Sequence, residues 1–192
     1  MNILIHALPT SIDVSGVACK VRTDFRCALL TILCFEDNDL TQYEKTAVML
    51  NNLYFNLPAD VPAALERAQW FLNGGKEQDE DGKDSARVYS FGKDAELIYA
   101  AFHQTHRIDL ETADLHWWKF MALFMDLGSD TTFCNLVSLR SRVFSGKATK
   151  EERATANAMG EMFKLPQVDT RTLSEREAEA EFMRLIRESH GG

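Results

Sequence analysis

Basic charge is scarce in this chain. Against 29 Asp and Glu stand 21 Lys and Arg, a net charge of −8 over 192 residues. That balance lacks the basic footprint that phosphate backbones require, so no nucleic-acid partner is expected, and it disfavours an anionic membrane surface. Long apolar runs are missing as well. None approaches the roughly 18 residues needed to span a bilayer, and the opening MNILIHALPTSID has no basic n-region, so neither a membrane span nor a signal peptide is expected. Cysteine is sparse, and Cys19, Cys27, Cys34 and Cys134 contain no CxxC. On a helix Cys27 and Cys34 lie two turns apart, too far to bond, and zinc would need close pairs from two elements. Reduced core thiols of a cytosolic protein are the expectation. GxSxG, the P-loop and GxGxxG are all absent. No catalytic residue, cofactor or metal is therefore assigned.

What is present is enough apolar residue, 45%, to build a core. The pattern predicts a mainly α fold, a helical bundle-like domain over residues 1–165 with a small N-terminal β-hairpin at about 10–21. In TSIDVSGVACKV, a two-residue Ser15-Gly16 turn sets Val14 against Val17 and Ile12 against Cys19. All four then share one face, with Asp13 and Lys20 on the other. Helix starts follow. Thr23 or Asp24 caps a stripe of Phe25, Ala28, Leu29, Ile32 and Leu33. Thr41 with Glu44 makes a capping box ahead of Tyr43, Ala47, Leu50 and Tyr54. Asp60 with Pro62 opens a helix that Gly74-Gly75 closes.

Residues 74–90, GGKEQDEDGKDSARVYS, are acidic and nearly free of apolar residues, and read as a mobile loop. Calcium ligation by Glu77, Asp79, Glu80, Asp81 and Asp84 is weakly supported, because the glycine and closing glutamate of an EF-hand are not in place. Further helices are predicted from Asp94 to about His106, from about Asp114 to Gly128, from Ser129 or Asp130 to Gly146, and from the Thr149/Glu152 capping box to Leu165-Pro166. Residues 166–192 read as a linker and a last helix with a third capping box, Ser174 with Glu177. Its apolar residues crowd at Phe182, Leu185 and Ile186, so it is loosely attached or docks on another subunit. His103, His106, Asp109 and His116 are the residues a small metal-dependent enzyme would use. Histidines at the surface or at helix ends are the plainer reading.

The most unusual stretch is DLHWWKFMALFMDLG, residues 114–128. Neighbours on a helix point about 100° apart, so Trp117 and Trp118 cannot both centre one narrow buried face. Leu115, Trp118, Ala122 and Met125 form one stripe, and Trp117, Phe120, Met121 and Phe124 an adjoining one. A helix packed on two sides uses both. A helix serving core and groove together would offer Trp117, Phe120 and Phe124 to a partner, with Lys119 at the solvent edge.

FGKDAELIYAAFHQTHRIDLETADLHWWKFMALFMDL, residues 91–127, and LPTSIDVSGVACKVRTDFRCAL, residues 8–29, resemble the bacteriophage gene-product-fifteen family. The resemblance covers most of residues 1–145 and does not extend past about 165. It implies a role in virion morphogenesis, foremost as a tail assembly chaperone. Such a protein binds the tail tape measure protein and assists tail tube protein assembly in the bacterial host cytoplasm. It is absent from the finished virion. The resemblance carries no catalytic residues. A structural tail or virion accessory protein is the alternative, and a homo-oligomer is compatible with either.

Overall fold

In the computed structural model, residues 3–76 and 87–167 are described. The fold is mainly α, with one antiparallel hairpin at its N-terminal end. Strands β1 (Ser11–Val14) and β2 (Val17–Lys20) are followed by α1 (Phe25–Glu36), α2 (Gln42–Leu53), α3 (Val61–Leu72), α4 (Ala95–His106), α5 (Trp117–Met125), α6 (Thr132–Phe144) and α7 (Lys150–Met159), with a 3-10 turn at Gly160–Met162. No described helix is long and apolar enough to cross a membrane.

The hairpin register is the expected one, Ile12 opposite Cys19 and Val14 opposite Val17. Ser15 and Gly16 both take positive φ, 51° and 82°, as a type I′ turn requires. Ser15 Oγ donates to Asp60 Oδ2 (2.6 Å), tying the turn to the N-cap of α3. Helix α3 covers the Ile12/Val14 face of β1. Ile12 and Val14 are buried, whereas Val17 overhangs the sheet and is 62% exposed. Cys19, on the same face, packs partly buried against the core.

Helix starts follow their capping chemistry. Asp24 accepts from the Arg26 N–H, and Thr41/Glu44 and Thr149/Glu152 form complete capping boxes. Asp60 caps α3, with Pro62 in its first turn. Other boundaries differ from expectation. Tyr43 is 83% exposed rather than on the buried stripe. Thr131, not Ser129 or Asp130, caps α6, since its Oγ1 accepts from the Cys134 N–H. Helix α7 stops at Met159, because Gly160 leaves helical geometry. Of the expected mobile loop 74–90, residues 77–86 with the calcium candidates Glu77, Asp79, Glu80, Asp81 and Asp84 lie outside the described residues, as do 168–192 with Ser174/Glu177. The end of that loop is instead fixed, with Arg87 paired to Glu36 and Ser90 buried.

Helices α1, α2 and α3 pack in sequence order, while α4 packs on α6 and α6 on α7. Helix α5 joins the two groups by packing on α1 and α4. Its entry is fixed by backbone bonds, Phe25 N–H to the Leu115 carbonyl (3.0 Å) and Trp117 N–H to the Thr23 carbonyl (2.7 Å).

Candidate functional site

Helix α5 sits where the aromatic residues concentrate. Phe120 lies between Phe25 of α1 (ring centroids 4.7 Å apart) and Phe102 of α4 (4.9 Å), all three nearly parallel. Trp117 stacks on it at 5.6 Å. Phe124 extends the stack and meets Tyr89, Phe91 and Phe133. The adjacent tryptophans share a second task. Trp117 Nε1–H donates to the Leu72 carbonyl (2.9 Å) and Trp118 Nε1–H to the Phe71 carbonyl (2.7 Å). Both indoles thereby bind carbonyls in the last turn of α3; the Phe71 carbonyl also accepts from the Gly74 N–H (3.1 Å).

The residues proposed from sequence as partner contacts are therefore placed differently. Trp117 and Phe120 are 3% and 1% exposed, and Phe124 is partly buried against the core. Trp117 and Phe120 present almost no open side-chain surface, because neighbouring elements already cover them, and Phe124 keeps only part of its side chain exposed. Lys119 is exposed. It is the other stripe that surfaces. It begins buried at Leu115 and Trp118, then emerges at Ala122 and at Met125, which is 81% exposed.

An open groove of about 610 Å³ lies there. Trp118, Met121, Ala122 and Met125 form one wall, Ile3 and Leu4 another, and the α3 exit from Asn73 to Lys76 the rim. Gly74 and Gly75 make the close approach feasible. Both take positive φ, and a Cβ on Gly75 would come 2.5 Å from Trp118 Cη2. The signal available in sequence was the pairing of the Gly74-Gly75 stop with a stripe whose last members are alanine and methionine.

His116 caps α5 in place of Asp114. Its Nδ1 accepts from the Trp118 N–H (3.0 Å), so the ring proton is assigned to Nε2, 3.0 Å from the Pro9 carbonyl. Burial lowers its pKa from the ordinary histidine value, and the Pro9 contact only partly offsets this. His106 is held against the Leu123 carbonyl, and Asp109 accepts from the Tyr99 hydroxyl and the Glu111 N–H. His103 is exposed. These four residues are not brought to one centre, and no group of three His, Cys, Asp or Glu side chains among the described residues is placed to hold a metal ion. The four cysteines are unbonded.

Sequence reading missed Arg140. It is fully buried in α6 and forms a bidentate pair with Asp94. Its remaining N–H groups donate to the carbonyls of Val88 (3.2 Å), Met162 (2.7 Å) and Phe163 (2.8 Å). All five guanidinium donors are used. Asp94, expected as a helix start, makes no side-chain cap. Its carboxylate instead accepts from Arg140 and the Ser90 N–H.

A family model described as Bacteriophage Gp15 protein matches residues 4–165. No curated protein and no solved structure matches the chain.

Proposed function

For a chain that belongs to the bacteriophage Gp15 protein family, we propose the role of a tail assembly chaperone. On this reading the protein works in the bacterial host cytoplasm, keeps the tail tape measure protein soluble, and assists tail tube subunits in assembling around it. The observation that carries it is the groove beside α5, walled by Met121, Met125 and Trp118 and open to solvent. Unbranched, polarisable methionines adapt to varied apolar surfaces, and an amphipathic helix lays its apolar face into such a groove. The net charge of −8 favours solubility of a loaded complex. The work is binding, so it calls for no catalytic residue, metal or cofactor.

The test is co-expression of a tape measure protein with this chain, unaltered or carrying Met125→Glu. The expected result is a soluble complex with the unaltered chain and its loss with the variant. Mass spectrometry of purified particles should find no copy of the chain. A tape measure protein left insoluble and unbound by the unaltered chain ends the reading. Copies in mature particles would favour a structural tail or accessory protein instead.

A further inference from the structure

A second apolar pocket, of about 260 Å³, opens between α1, α2 and α3, walled by Ile32, Phe35, Met49 and Leu72. It is smaller than the roughly 300–1,000 Å³ usual for small-molecule sites, so a few side chains suit it better than a cofactor. The described chain ends beside it. Asn38, three residues beyond Phe35, donates from Nδ2 to the Gln167 carbonyl (2.9 Å), and Arg87 donates to the Pro166 carbonyl (2.7 Å). Residues 168–192 continue from that fixed point.

The densest apolar stretch in this remainder is Phe182-Met183-Arg184-Leu185-Ile186. Positions 182, 185 and 186 have the spacing that gathers side chains on one face of a helical turn. The intervening residues allow roughly 3.3 Å each when extended, ample to return to a pocket next to the exit. A tether of that length also keeps the stretch at high effective concentration. The charges are complementary. The last turn of α1 is already served by Lys45, whose Nζ donates to the Phe35 carbonyl (3.1 Å), but the exposed Asp37 and Asp39 that follow it pair with no cation among the described residues. The stretch carries Arg184 and Arg187.

We propose that Phe182, Leu185 and Ile186 dock in this pocket within the same chain, with Arg184 and Arg187 facing Asp37 and Asp39. The dock stands apart from the Met125 groove, which it meets only at Asn73, and does not depend on the chaperone reading. The test uses the full chain with a benzophenone amino acid in place of Phe182, illuminated in dilute solution and mapped by mass spectrometry. The expected product is an intrachain bond to Ile32, Phe35, Met49 or Leu72, reduced several-fold by Asp37→Lys with Asp39→Lys. Attachment elsewhere, attachment only between chains, or none above a control with the same group at exposed Tyr43 overturns the proposal. As a second measurement, amide exchange at 32–36 of the full chain should quicken several-fold in Leu185→Ser/Ile186→Ser, and an unchanged rate also overturns it. Neither measurement involves a tape measure protein, so failure here is distinct from failure of the chaperone reading.

Discussion

Arg140 and Asp94 meet as a buried fork-to-fork pair, Nη1 to Oδ2 at 2.7 Å and Nη2 to Oδ1 at 3.0 Å. The pair joins α6 to the start of α4, and the other guanidinium donors gather the 88 and 162–163 segments. Removing one partner leaves a buried charge uncompensated. Asp94→Ala should cost about 3–5 kcal/mol, read by urea denaturation. The double change Asp94→Leu with Arg140→Met should not recover that loss, as apolar replacement of an ion pair often does. Three backbone carbonyls would still lose their donor. Recovery to the parent midpoint would show that the carbonyl contacts contribute little.

His116 gives a pH dependence of definite sign. Its folded pKa lies below the ordinary value near 6.5, so the unfolded chain binds a proton more readily. The stabilisation is complete above about pH 6.5 and is lost as pH falls through the acid side of that value. Protonation would also place a proton on Nδ1, which must accept from Trp118 N–H. His116→Asn keeps a capping oxygen and removes the titration. Thermal midpoints between pH 7.5 and 5 should fall less steeply in the variant than in the parent.

Tyr54 acts at the other end of the scale. Its hydroxyl donates to the Ala64 carbonyl (2.9 Å), and burial pushes its pKa up to about 12. The folded state holds this proton longer than the unfolded chain, so stability is full below about pH 10 and lost as pH rises toward 12. Tyr54→Phe should cost about 0.5–1.5 kcal/mol at neutral pH by losing this bond, since the Ala64 carbonyl keeps its place in the α3 hydrogen-bond ladder. It should also flatten the alkaline loss, measured by denaturant midpoints at pH 8 and 11.

Gly75 and Gly74 separate two effects of one substitution. Both have positive φ, so alanine is strained at either. Only at Gly75 would the new Cβ press on the Trp118 ring; at Gly74 the nearest atom is Met121 Sδ at 3.9 Å. Gly75→Ala should therefore destabilise more than Gly74→Ala and alter tryptophan fluorescence, while Gly74→Ala leaves the spectrum close to the parent's.

These residues also mark what could be read without coordinates. The hairpin register, the capping boxes and the Gly74-Gly75 stop rest on local chemistry, so a few adjacent residues suffice to specify them. Arg140 does not. In SLRSRVF nothing local separates the buried Arg140 from Arg142, which pairs with Glu152 in a partly exposed contact. What differs is the carboxylate and three carbonyls that distant segments bring to Arg140. The aromatic helix was legible as two stripes, but not as to which one surfaces. That depends on α3 ending against both indoles, and on nothing packing over Ala122 and Met125 among the described elements.

The same distinction supplies the most direct mutational contrast on α5. Trp117→Ala removes a stacked core ring and the donor to Leu72 O, and should cost about 3–5 kcal/mol. Any loss of partner binding in it would then follow from loss of fold. Met125→Glu lies at the exposed edge of the groove, so its unfolding midpoint should stay within about 0.5 kcal/mol of the parent. If the groove takes an apolar helix face, a carboxylate there must be desolvated on binding, and capture of the partner should fall sharply with the fold intact. Full capture by Met125→Glu, and by Ala122→Glu beside it, would place the contact on another surface.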